Sequence, residues 1–208
     1  MTSEYNKAEP RYRLGGIAAH LGRALGVGPL TISPRVLPTA VGLCVILAPT
    51  LAAVRAEYLA SSVLLLVLLA FLAAHDFWTL RLPNVLTFVL AFGGVCARLL
   101  HEPATIAQYA LGALVVAGSL FLVGAIYERR RGVSGLGFGD VKLIGASCLW
   151  IAADEMLSAL VIACITALLF AVVRFGRDAS KQLSPFGSFI CLGVWITWVV
   201  GPWQNWVL

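Results

Sequence analysis

A chain of 208 residues with 60% apolar and 12% charged residues lacks the charge to cover a water-soluble domain, whose residues are about half apolar and about a quarter charged. Its mean hydropathy of +0.92 points to an integral membrane protein. The net charge of +5 does not indicate nucleic acid: the basic residues sit in short clusters between apolar runs, not on a face with aromatic or polar readers.

The chain opens on the polar stretch M-T-S-E-Y-N-K-A-E-P, with no short apolar run close behind it, so no cleavable signal is expected. Residues 1–35 read as a basic, glycine-containing cytosolic arm and residues 36–208 as the membrane domain. A spanning helix needs roughly 20 apolar residues. Candidate spans are Val36–Val54, Tyr58–His75, Asn84–Leu100, Ile106–Tyr127, Val141–Ala153, Met156–Phe175 and Phe186–Val200. The first contains Pro38 and Pro49, and the fifth is short. The fold class expected is therefore an all-α bundle of six or seven transmembrane helices. A glycine-rich loop, G-L-G-F-G-D at Gly135–Asp140, enters the membrane at the cytosolic side before the fifth. The five cysteines, Cys44, Cys96, Cys148, Cys164 and Cys191, all lie in apolar runs without C-x-x-C spacing and read as small buried hydrophobes. Trp195, Trp198, Trp203 and Trp206 read as anchors at the outer interface.

Orientation follows from Lys and Arg. With the N-terminus inside and seven spans, the inner segments hold Lys7, Arg11, Arg13, Arg23, Arg35, Arg81, Arg129–Arg131, Lys142, Arg174, Arg177 and Lys181. The outer ones hold only Arg55 and Arg98, two of the 15 basic side chains. That asymmetry places the N-terminus in the cytosol and the C-terminus outside.

The same parity brings Asp76, at the end of the second span, and Asp140, before the fifth, to the cytosolic side. If the second helix runs on to Leu82, Asp76 lies roughly 10 Å below its end. Phe77, Trp78, Leu80 and Leu82 would then sit at the inner interface, with Arg81 reaching the headgroups. A 13-residue fifth helix, Val141–Ala153, places Asp140 at a similar depth. Irregular backbone at that depth is tolerated only where it lines protein or a watery cavity, which Gly135, Gly137 and Gly139 allow. Taken singly, Asp140 also suits the N-cap of a helix from Val141, and Asp76 a solvated boundary acid. Lys142 suits snorkelling, or pairing with Asp140 or a headgroup. His75 beside Asp76 is too isolated to indicate metal, and neither metal nor cofactor is expected. Together, two carboxyl groups at one depth form a candidate dyad. One stays protonated because like charges cannot both ionise cheaply; one activates water while the other polarises the scissile carbonyl.

Three patches carry a resemblance. H-D-F-W-T-L-R-L-P-N-V-L-T begins with His75–Asp76 and places Pro83 and Asn84 seven and eight residues after Asp76. L-G-F-G-D-V-K-L holds Gly137, Gly139, Asp140 and Lys142, and S-P-F-G-S-F-I-C-L-G follows near the C-terminus. In this order, over about residues 60–195, they resemble the type IV prepilin peptidases, members of the G-x-G-D intramembrane aspartic proteases. Ser188 stands where a second proline is common in the third patch. The resemblance implies catalysis by Asp76 and Asp140 and removal of the basic leader from prepilin-like precursors at the cytosolic face of a bacterial inner membrane. Partners are then the precursor and membrane lipid. The arm has no cysteine and no domain-sized insertion, as in the short, peptidase-only members of tight-adherence or Flp-type systems, so N-methylation is not expected. The reading from another class is a cation- or proton-coupled transporter using Asp76 and Asp140.

Overall fold

The computed structural model describes residues 33–132, 137–175 and 185–201. Nearly all of the expected arm, Gly135 of the glycine-rich loop, the inner-side residues Arg177 and Lys181, and Trp203 and Trp206 lie outside the described residues.

Among the described residues there are seven α-helices and no strand. They are α1 (Val36–Leu47), α2 (Leu59–Thr79), α3 (Asn84–His101), α4 (Ile106–Arg131), α5 (Phe138–Ser147), α6 (Ala153–Phe175) and α7 (Phe186–Val200). Pro49 turns the end of the first span into a 3-10 segment, Ala48–Ala53. Proline removes a backbone donor that the α-helix needs there. Pro83 is held extended (φ −67°, ψ 127°) and α3 starts directly after it. Three arginines, Arg129–Arg131, occupy the last turn of α4, where cations complement the free carbonyls, and the helix closes on left-handed Gly132 (φ 70°). Five helical stretches are long and apolar enough to cross a membrane: Val36–Ala53, Ala56–Thr79, Asn84–His101, Pro103–Arg131 and Ala153–Arg174. α7, with 15 residues, is apolar but shorter.

The fifth expected span requires correction. The helix is not Val141–Ala153 but Phe138–Ser147, 10 residues or about 15 Å, about half a bilayer core. Trp150 explains where it stops. Its side chain is buried, its indole Nε1 donates to Leu90 O at 2.8 Å, and its own carbonyl accepts from Arg98. The ring lies against Gly93 and Gly94 of α3, where an added Cβ would come within 3.0 Å of it. A continued helix would carry Trp150 away from that seat. Close backbone approach through small residues is how membrane helices gain packing energy, since leaving lipid provides no hydrophobic gain.

α7 is the hub, packed on α6, α2 and α5, while α5 also rests on α3 and α4. The core gathers Leu65, Leu69 and Leu72 of α2, Leu143 and Ile144 of α5, and Ile190 and Val194 of α7. Trp195 belongs to this core and not to an interface: it is 2% exposed and its Nε1 donates to Thr50 Oγ1 at 3.1 Å. Trp198 likewise turns inward, donating to Ser62 Oγ at 2.8 Å. Of the cysteines, Cys148 and Cys191 are buried and Cys164 is exposed on α6, so the uniform burial expected of them does not hold.

Candidate active site

Asp76 lies one turn before the end of α2, which stops at Thr79 and does not run to Leu82. Leu80 adopts the left-handed conformation (φ 52°), with its N–H donating to Asp76 O at 2.8 Å. Left-handed backbone is unfavourable for leucine, and the polar groups around it hold the turn. His75 Nδ1 donates to Arg81 O at 2.8 Å, and Thr79 Oγ1 donates to His75 O at 2.7 Å.

The turn sends Leu82 inward, correcting its expected place at the interface; Phe77, Trp78 and Leu80 are exposed. Leu82 contacts the backbone of two glycines. A Cβ on Gly139 would lie 3.4 Å from Leu82 Cβ, and one on Gly187 would lie 3.1 Å from Leu82 Cδ1. The Gly187 position also faces the acid, since its added Cβ would stand 3.0 Å from Asp76 Cγ and Oδ2. Asp76 is 5% exposed, so it is not a solvated boundary acid. Its burial comes from Leu82 and the start of α7 and not from distance along its own helix, of which only about 4.5 Å remains. Ser188 N–H donates to Asp76 Oδ2 at 2.9 Å. Ser188 Oγ donates to Ala73 O at 2.8 Å and lies 3.3 Å from the same carboxylate oxygen.

Asp140 is the third residue of α5. The N-cap position belongs to Gly137, extended at φ −65° and ψ 133°, with no side-chain cap hydrogen bond. Asp140 is half-buried. Its carboxylate folds back over Gly137, where an added Cβ would meet Oδ2 at 3.0 Å. Leu82 links the two acids: it lies against Gly139, the neighbour of Asp140, and against Gly187, which faces Asp76. Lys142 does not pair with Asp140: its Nζ donates to Asn84 Oδ1 and sits 4.6 Å from the Phe138 ring centre. Lys142 and Asn84 thus tie α5 to the start of α3, which Pro83 sets.

The structure therefore brings Asp76, Gly139 and Asp140 together around Leu82, with Gly137 under Asp140, and gives Pro83, Asn84 and Lys142 a bracing place beside them. Leu82, Gly187 and Ser188 join the site without having been singled out for it; their signals were the patch that runs from His75 to Asn84 for Leu82 and the P-F-G patch for the other two. Among the described residues no group of three or more His, Cys, Asp or Glu side chains is placed to hold a metal ion. Beside Asp76 an apolar cavity of about 270 Å³ opens between α1, α2 and α7, with Ala73, Phe77, Ser188 and Phe189 on its wall.

Comparison with known proteins adds a family. Residues 63–172, more than half of the chain, match the type IV leader peptidase family. The chain belongs to that family. The matched region includes both acids. Among similar proteins, the prepilin leader peptidase/N-methyltransferase of Burkholderia pseudomallei is 31% identical over 126 residues, 59% of this chain and 40% of that protein. That of Dichelobacter nodosus is 30% identical over 120 residues, 58% of this chain and 41% of the relative. That of Neisseria gonorrhoeae is 29% identical over 150 residues, 69% of this chain and 52% of the relative. The chain thus matches only two fifths to one half of these leader peptidases. No solved structure matches it significantly.

Proposed function

We propose that this chain is a membrane-embedded aspartic endopeptidase that removes the basic leader from type IV prepilin-like precursors at the cytosolic face of the inner membrane. The observation that carries the reading is that Leu82 lies against both Gly139, next to Asp140, and Gly187, which faces Asp76, so that the two acids share one end of the bundle. Membership of the type IV leader peptidase family supports the substrate class. In the proposed reaction one carboxylate takes a proton from water as it attacks the scissile carbonyl, while the other, protonated, polarises the carbonyl oxygen. The same pair then returns a proton to the leaving amine. The apolar cavity beside Asp76 suits a precursor whose apolar segment stays among the helices while its basic leader remains in water. The test is co-expression with pilin-like precursors, read as a mobility shift on gels. Absence of any shift for every precursor from the same genome would defeat the proposal.

The N-terminus is proposed to lie inside and the C-terminus outside. Single cysteines replacing Ala56 and Arg131, both exposed, in an otherwise cysteine-free chain report on this. An impermeant reagent added to intact cells should label position 56 and spare 131. The reverse pattern would put the acids on the outer side.

A further inference from the structure

We propose that Ser188 is a positioning residue for Asp76, its main-chain N–H holding Oδ2 so that the other carboxylate oxygen turns to the reacting groups. This rests on the aspartic-peptidase reading and adds a part to it. Ser188 is the third residue of α7, whose first-turn N–H groups lack the usual intrahelical partners. Its N–H reaches Pro185 O at 3.2 Å, but the carboxylate is nearer, at 2.9 Å. A hydrogen bond to an ionised group is also the stronger of the two kinds.

The hydroxyl has a different task. It has one proton, and its shorter contact is with Ala73 O at 2.8 Å, against 3.3 Å to Asp76 Oδ2. Ala73 and Asp76 are three residues apart and share a face of α2. Ser188 therefore grips α2 at two points, the hydroxyl fixing the helix and the amide fixing the acid. The platform is firm, because Ile190, Cys191 and Val194 of α7 are buried in the core. Gly187 completes the seat: its amide also faces the carboxylate, and a Cβ there would stand 3.0 Å from Oδ2 and press on the acid. A proline at 188 would leave the Gly187 amide and remove one donor of two.

The variants are S188P, S188A and S188T. Each is assayed for precursor cleavage in detergent or membranes at matched amounts of inserted enzyme, with D76N alongside. Proline is tolerated in the first turn of a helix, so S188P removes the N–H without breaking α7. Proline lacks the hydroxyl as well, so kcat should fall about fiftyfold, the roughly fivefold loss of S188A multiplied by about tenfold for the hydrogen bond to a charged group, with KM within about twofold because the group acts on the acid and not on substrate binding. S188A keeps the N–H and should lose about fivefold, the worth of one neutral hydrogen bond; S188T should recover that part. Wild-type kcat in S188P, with D76N inactive, overturns this inference and leaves the peptidase reading standing. Wild-type cleavage by D76N removes both. A loss in S188A equal to that in S188P would move the role from the amide to the hydroxyl and so overturn the proposal. Should S188P fail to accumulate, S188A decides alone, a loss beyond about tenfold being the overturning result.

Discussion

Arg98, at one end of the bundle, and Asp76, at the other, are 9% and 5% exposed, yet their surroundings differ in kind. Arg98 donates to Glu102 at 3.3 Å and to the Trp150 carbonyl, and its guanidinium lies 3.8 Å from the centre of the Tyr109 ring. Glu102 in turn accepts from Tyr58 at 3.0 Å. Four segments of the chain are knotted through one neutralised pair. Asp76 is held by the amide of Ser188, whose hydroxyl donates to Ala73 O. The ion pairs Arg55–Glu57 and Arg98–Glu102 do not touch Asp76 or Asp140. A buried pair is costly to break, whereas a carboxyl group held by hydrogen-bond donors suits proton transfer. The first end reads as structure and the second as chemistry.

That contrast breaks most sharply at the acids. Asp76→Asn and Asp140→Asn should each lower precursor conversion by at least ~10³-fold, and the double variant should be no worse than either single one, because paired catalytic groups act as a unit. Insertion should be normal, since neutralising an intramembrane acid lowers the cost of the span. Conversion near the wild-type rate in either variant would return that acid to a structural part. The opposite end should respond in stability. Arg98→Leu removes the donor to the buried Trp150 carbonyl and should lower unfolding stability in detergent by about 1–3 kcal/mol. If Arg98→Leu abolished conversion in stably inserted enzyme, the division between the two ends would fail. The smallest effect is expected where the site is only braced. Lys142→Met keeps the stem over Phe138 but loses the bond to Asn84, and should reduce conversion about fivefold at unchanged insertion; a loss as large as that of Asp140→Asn would make Lys142 a direct participant.

Local pattern was enough for much of this. The apolar runs locate α2, α3, α4, α6 and α7 to within a few residues, because helix length and hydropathy are properties of the segment itself. The spacing from Asp76 to Pro83–Asn84 and the G-F-G-D patch named the residues that the fold gathers around Leu82. Other features were not local. The end of α2 is set by His75 and Thr79 lashing a left-handed Leu80, a hydrogen-bonded turn that hydropathy does not register. Asp76 is buried by α7, 112 positions away along the chain.

By itself the sequence determined that the protein belongs in a membrane, where its long helices run, and that two acids stand out against an apolar background. Only the tertiary structure decided that α5 stops at Ser147, that Trp150 and Trp195 face protein, and that Ser188 reaches Asp76. Hydropathy measures a side chain's preference for leaving water. Lipid and protein interior satisfy that preference equally, so the choice between them is made by shape: a pair of glycines that admits an indole, or a helix start that admits a carboxylate.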